Sequence, residues 1–171
     1  YRSVCLVDHS AFYGLPEFLK EAAYNGLTPL AGVFLPKIRL TLLCINPRGF
    51  ARANTIVSRL LLANTRRDTP ERFRRFLDLT AGEYPGDSND SYDPVADLCE
   101  KGWEGVWLAS SDPETLERLG RSDRRNVYVA LYYGQPFAGI AAWGGNRGFP
   151  PIAMGDAAWI ESEDRDRYRV A

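Results

Sequence analysis

At 171 residues, 45% hydrophobic and 25% charged, the chain reads as one globular domain spanning 1-171, long enough to bury about two thirds of its surface. This composition argues against disorder, and no run approaches the ~18 apolar residues of a membrane-spanning helix. A net charge of −1 gives no bulk attraction to nucleic acid.

Apolar runs of strand length alternate with amphipathic runs, the pattern of an α/β fold with a parallel sheet. The first strand is expected at Val4 to Val7, leading into Asp8 and His9, the only histidine. A helix follows from Leu15 to Tyr24, with Leu15, Phe18, Leu19 and Ala22 on one face and Asn25-Gly26 ending it. Strands are expected at Pro29 to Leu35 and Leu40 to Ile45, then a helix from Pro47 to Ala63. Thr69-Pro70-Glu71 opens a short arginine-rich helix ending at Leu79, and Thr80 to Pro94 reads as one long loop. Asp93-Pro94 and Asp112-Pro113 each start a helix, ending near Gly102 and Gly120. Further strands are expected at Val106 to Ala109, Val127 to Tyr132 and Pro151 to Met154. The glycine-rich segment Gly134 to Gly148 reads as a loop after a small-residue helix, and a charged terminal helix follows Glu161.

Cys5, Cys44 and Cys99 are odd in number, far apart and set in apolar stretches, so they read as reduced core residues of a cytoplasmic protein. Arg66, Arg67, Arg72, Arg74 and Arg75 are interleaved with acidic residues and read as a solvated helix face. Trp103, Trp107, Trp143 and Trp159 read as core or interface packing. The chain opens almost directly in a strand, without methionine or signal-peptide layout, and is expected to be cut from something longer.

The block Val7-Asp8-His9-Ser10-Ala11-Phe12-Tyr13-Gly14, continuing through Pro16-Glu17-Phe18-Leu19-Lys20, resembles the PHP (polymerase and histidinol phosphatase) domain. The form it resembles is the one at the start of bacterial DNA polymerase III alpha subunits, where the pattern runs TDHGN, an aromatic, glycine, then EFYKAAKKAG. Two later blocks are similar to the same family: Leu40 to Phe50 with Ile56-Val57-Ser58-Arg59, and Phe149 to Ile160, which includes Asp156. The middle, from about Thr65 to Gly134, matches only in outline.

The resemblance implies a distorted (β/α)7-type barrel of parallel strands, here lacking its first strand, so that a missing segment or a neighbouring domain covers the gap. It also implies a multinuclear metal site, of which Asp8, His9 and Asp156 match ligand positions. Phe34 stands where the family has glutamate, and Arg39 and Ala158 where it has histidines. No cysteine falls near Ser110 or Ser111, where the family has one. A phenylalanine and an alanine donate nothing to a metal. The expectation is a degenerate, metal-free domain, itself inactive and needing no cofactor, whose partners are the remaining domains of a polymerase III alpha-like chain, itself a DNA-directed DNA polymerase. DNA would be met only through that parent.

Arg39 is expected to replace the lost ion by pairing with Asp8 or Asp156, since two carboxylates at one barrel mouth repel. The competing placement puts it on the solvent side of a strand. Two other readings stay open. One is a phosphoesterase or 3′–5′ proofreading nuclease with zinc or manganese on Asp8, His9 and Asp156. The other is an unrelated α/β barrel or binding module in which Asp8, Arg39 and Asp156 are scattered.

Overall fold

A computed structural model describes residues 2–68, 92–132 and 137–155. Six strands form one curled, half-barrel sheet in chain order: β1 (Ser3–His9), β2 (Thr28–Leu35), β3 (Leu40–Cys44), β4 (Val106–Ser110), β5 (Val127–Tyr132) and β6 (Pro151–Met154). The described helices are α1 (Leu15–Tyr24), α2 (Pro47–Asp68), α3 (Pro94–Lys101), α4 (Pro113–Ser122) and α5 (Phe137–Asn146).

The expected strands are all present, but they are not all parallel. β3 runs antiparallel to both β2 and β4, while β1–β2, β4–β5 and β5–β6 are parallel. The reason is the length of one connection. Only four residues separate Leu35 from Leu40, and a parallel crossover needs a dozen or more. Pro36–Ile38 instead form a 3-10 turn, which Arg39 completes in the left-handed conformation at φ 48°.

The helix starts follow from local chemistry. Asp93 accepts from the backbone N–H groups of Val95 and Ala96, and Asp112 from that of Thr115, each ahead of a proline in the first turn. Asn46 accepts from Gly49 N–H at the start of α2. In the segment Gly134 to Gly148, read as a loop after a small-residue helix, α5 runs on through Gly144 and Gly145 to Asn146. Its glycines permit close packing, since a Cβ on Gly144 would sit 2.2 Å from Val129 Cγ2, while Ile140 and Trp143 bury against the core. On α1, Leu15 and Ala22 are buried as the periodicity predicts, but Leu19 is exposed. The arginine-rich helix to Leu79, most of the following loop and the charged terminal helix fall outside the described residues.

Strand alternation divides the sheet into two faces. Val33, Leu35, Leu40, Leu42, Val106, Leu108, Val127 and Val129 are fully buried and pack with Ile56, Val57, Val95, Leu98, Leu116, Leu119 and Phe149 as the core. The opposite face carries Phe34, Thr41 and Tyr128 in one row across β2 to β5, the pair Leu43 and Trp107 in another, and Tyr132. Trp103 is buried and donates to the Arg125 carbonyl, whereas Trp107 is 36% exposed and tilts against Tyr128. Cys44 is buried, and Cys5 and Cys99 are half-buried; all three are free thiols. Burial pushes the Cys5 thiol up to about 11 and Cys44 up to about 12, so neither is a ready nucleophile. No described helix is long and apolar enough to cross a membrane.

Candidate functional site at the sheet rim

The C-terminal ends of β1, β2, β4, β5 and β6 and the N-terminal end of β3 share one rim, where sheets of this kind place their chemistry. Asp8, His9, Phe34, Arg39 and Ser110 all lie along it. Their side chains do not converge as a ligand set.

Asp8 and His9 are consecutive in an extended strand and leave opposite faces. The half-buried Asp8 carboxylate accepts the Gly14 backbone N–H at 2.7 Å, closing the β1–α1 loop onto the residue before α1. His9 is exposed and meets the Phe34 ring edge-on, with centroids 5.4 Å apart. Ser10, at φ 59°, turns the chain away, and its N–H donates to the Phe34 carbonyl.

Arg39 contributes through its backbone. Its carbonyl accepts the buried Ser110 hydroxyl at 2.8 Å, and Ser110 Oγ accepts the Asp112 N–H at 3.0 Å. The Thr115 hydroxyl donates to the neighbouring Ile38 carbonyl. The Arg39 side chain is exposed, and among the described residues no ion pair joins it to Asp8. Asp156 and Ala158 lie outside the described residues, so the alternative pairing with Asp156 falls there too. Further along the rim, Thr41 Oγ1 and Tyr132 Oη are 3.3 Å apart across β4.

Among the described residues, no three His, Cys, Asp or Glu side chains are grouped to hold a metal. Among the described residues the candidate donors are Asp8 and His9, which diverge beside Phe34 and Arg39 and by themselves do not supply the ligands of a multinuclear cluster.

A charged cluster that the sequence did not announce lies away from the rim. Asp97 on α3 is 6% exposed and accepts from Arg52 at 2.7 Å, Arg59 at 2.9 Å, Lys101 at 2.7 Å and the Tyr92 hydroxyl at 3.2 Å. Arg52 also donates to the Asp97 and Gly102 carbonyls. Burial alone would raise the Asp97 carboxyl, but hydrogen bonds and charge from Lys101 and Arg52 outweigh it and hold it below the usual range. Burial and the Asp97 charge push the Tyr92 hydroxyl up. The cluster ties α2 to α3. Its sequence signals were the i,i+4 spacing of Asp97 and Lys101 and the two-turn spacing of Arg52 and Arg59.

No family model matches the sequence, and neither does any curated protein. Among solved structures that match the chain is a presumed metal-dependent phosphoesterase from Bifidobacterium adolescentis, at 14% identity and a TM-score of 0.49. The match covers 92% of this chain and 77% of that one.

Proposed function

We propose that this chain is a PHP-type domain of a DNA polymerase III alpha-like protein, in which the rim has passed from metal chemistry to structure. The observation that carries the reading is the divergence of Asp8 and His9: one closes a loop through Gly14 and the other rests against Phe34. The sequence blocks that resemble the family supply both residues, and the non-donor Phe34 falls beside His9 on the neighbouring strand. In this reading the domain works through contacts with the rest of its parent chain, and DNA is met only indirectly.

The test is metal content. The protein, equilibrated with zinc or manganese and then desalted, is expected to retain a substoichiometric amount and to leave a phosphodiester such as bis-p-nitrophenyl phosphate intact. Stoichiometric metal with phosphodiester hydrolysis, both lost in His9→Ala, would overturn the proposal in favour of a reduced-site phosphoesterase on Asp8, His9 and Asp156. Parentage has a separate test: a gene that encodes an upstream HxH motif and a downstream polymerase domain supports it, and one lacking a polymerase domain removes it.

A further inference from the structure

At the end of the sheet opposite the rim, where chain leads into β5 and β6, a groove of about 240 Å³ opens between the C-terminal ends of α4 and α5. It is lined by Glu117, Gly120, Arg121, Arg124, Arg147 and Phe149. We infer that this groove binds a phosphoryl oxyanion carried on a small molecule.

Charge is the first argument. Three guanidinium groups face one carboxylate in the groove, a local surplus of two positive charges in a chain whose net charge is −1. Preorganisation is the second. Trp143 and Phe149 stack with rings 6° from parallel, and each carries a guanidinium on its face: Arg147 lies 4.7 Å over Trp143, and Arg124 lies 5.5 Å over Phe149. Stacking fixes the planes of the guanidinium forks, which lowers the entropy lost when they close on a ligand.

Unused donors are the third argument. Arg124 Nη1 donates to the Arg147 carbonyl at 2.8 Å and its Nε to the Gly120 carbonyl at 3.4 Å, while Arg147 Nε donates to Glu117 Oε1 at 3.3 Å. Arginine near a helix C-terminus ordinarily satisfies the last carbonyls and the helix dipole. That role accounts for the bonds of Arg124. It leaves Arg124 Nη2, both terminal nitrogens of Arg147 and the whole Arg121 guanidinium without a hydrogen-bond partner among the described residues.

Planar forks with free N–H pairs match the geometry of phosphoryl oxygens. The volume is below the 300–1,000 Å³ typical of drug-sized ligand sites, which suits a compact phosphate on a small carrier. Phe149 is 2% exposed, so its ring is covered and offers no platform for stacking a base. The site does not depend on the rim, so it can fail or succeed independently of the function proposed above.

Calorimetric titration with inorganic pyrophosphate at low ionic strength tests the inference. The expected result is saturable binding at one site, weakened roughly tenfold or more by Arg121→Ala and by Arg147→Ala, the loss of charge-assisted hydrogen bonds. Glu117→Gln is expected to tighten binding by removing the opposing charge. Arg48→Ala, whose exposed ion pair with Glu104 lies elsewhere, is expected to leave binding unchanged. Arg121 has no described partner, so its replacement should not disturb folding. Absence of saturable binding, or binding that survives both arginine replacements, overturns the inference. A single-stranded oligodeoxynucleotide that binds more tightly than pyrophosphate through the same arginines also overturns it, by assigning the groove to a nucleic-acid backbone.

Discussion

The buried Ser110 hydroxyl donates to the backbone carbonyl of Arg39 at 2.8 Å, joining the end of β4 to the turn that reverses the chain into β3. The same oxygen accepts the Asp112 N–H, so one side chain fixes the β2–β3 turn and the entry to α4 together. Ser110→Ala is expected to destabilise the fold by about 1–2 kcal/mol, because it leaves a carbonyl and an N–H unsatisfied at a buried site. Arg39→Ala keeps the carbonyl and should change stability by less than about 0.5 kcal/mol. Urea denaturation of both variants checks the contrast; equal losses would mean that the Arg39 side chain contributes as much to the fold as the Ser110 hydroxyl.

Asp8 and His9 should separate in the same assay. Removing the Asp8 carboxylate frees the Gly14 N–H, and Asp8→Ala is expected to cost about 0.5–1 kcal/mol, discounted because the bond is partly exposed. Asp8→Asn retains an acceptor and should recover most of that loss. His9→Ala, at an exposed strand end, should stay within about 0.5 kcal/mol of the parent. A larger effect at His9 than at Asp8 would contradict the structural role assigned to each.

The Asp97 cluster predicts an acid limb. A carboxyl held below its ordinary value stabilises the fold above the unfolded-state value of about 3.9, and that stability disappears as pH falls through the lower folded value. The parent protein should therefore lose stability below about pH 4, and Asp97→Asn should flatten this limb. At neutral pH the same replacement should cost about 3 kcal/mol. Most of that loss traces to the buried Arg52 contact, because Arg59 and Lys101 are 38% and 46% exposed and screened by solvent. Thermal melts across pH check both statements.

Gly49, in the first turn of α2, lies against the backbone of Gly105. An added Cβ would lie 1.8 Å from the Gly105 carbonyl oxygen, and backbone cannot yield as a flexible side chain would. Gly49→Ala is expected to cost about 2 kcal/mol, whereas Gly139→Ala, with open space around its position, should be neutral or slightly stabilising through helix propensity. Chemical denaturation of the pair is the check.

The elements themselves were legible in the sequence. Leu15 to Tyr24 could be placed because its apolar spacing and its Asn25-Gly26 ending agree, and the strands because apolar runs fall between turn residues. Strand direction was read as parallel throughout and β3 overturns that, although the four-residue gap from Leu35 to Leu40 already forbade a parallel crossover. A small-residue helix was expected in this segment but not its run through Gly144 and Gly145, because those glycines signal a loop locally, while the contact that requires Gly144 comes from Val129, far off in sequence. At the rim, identity could be read and geometry could not. Nothing in the order Asp8, His9 says that the carboxylate turns to Gly14, or that Arg39 would engage Ser110 through its carbonyl. The Asp97 cluster depends on α2 and α3 meeting, a tertiary fact that charge spacing along one helix only hints at.

The reversed strand β3 also bears on how the chain folds. β1, α1, β2 and β3 assemble from neighbours in sequence, and so do β4, α4, β5, α5 and β6. The two groups meet along one ladder, Leu40 to Cys44 against Val106 to Ser110, whose partners are brought together from opposite sides of a long intervening segment. Closing that segment is the largest entropic step in assembling the sheet, and lengthening it raises the step only logarithmically. The β3–β4 seam is therefore where folding is slowest to commit, and where two separately expressed halves of the chain would have to find each other.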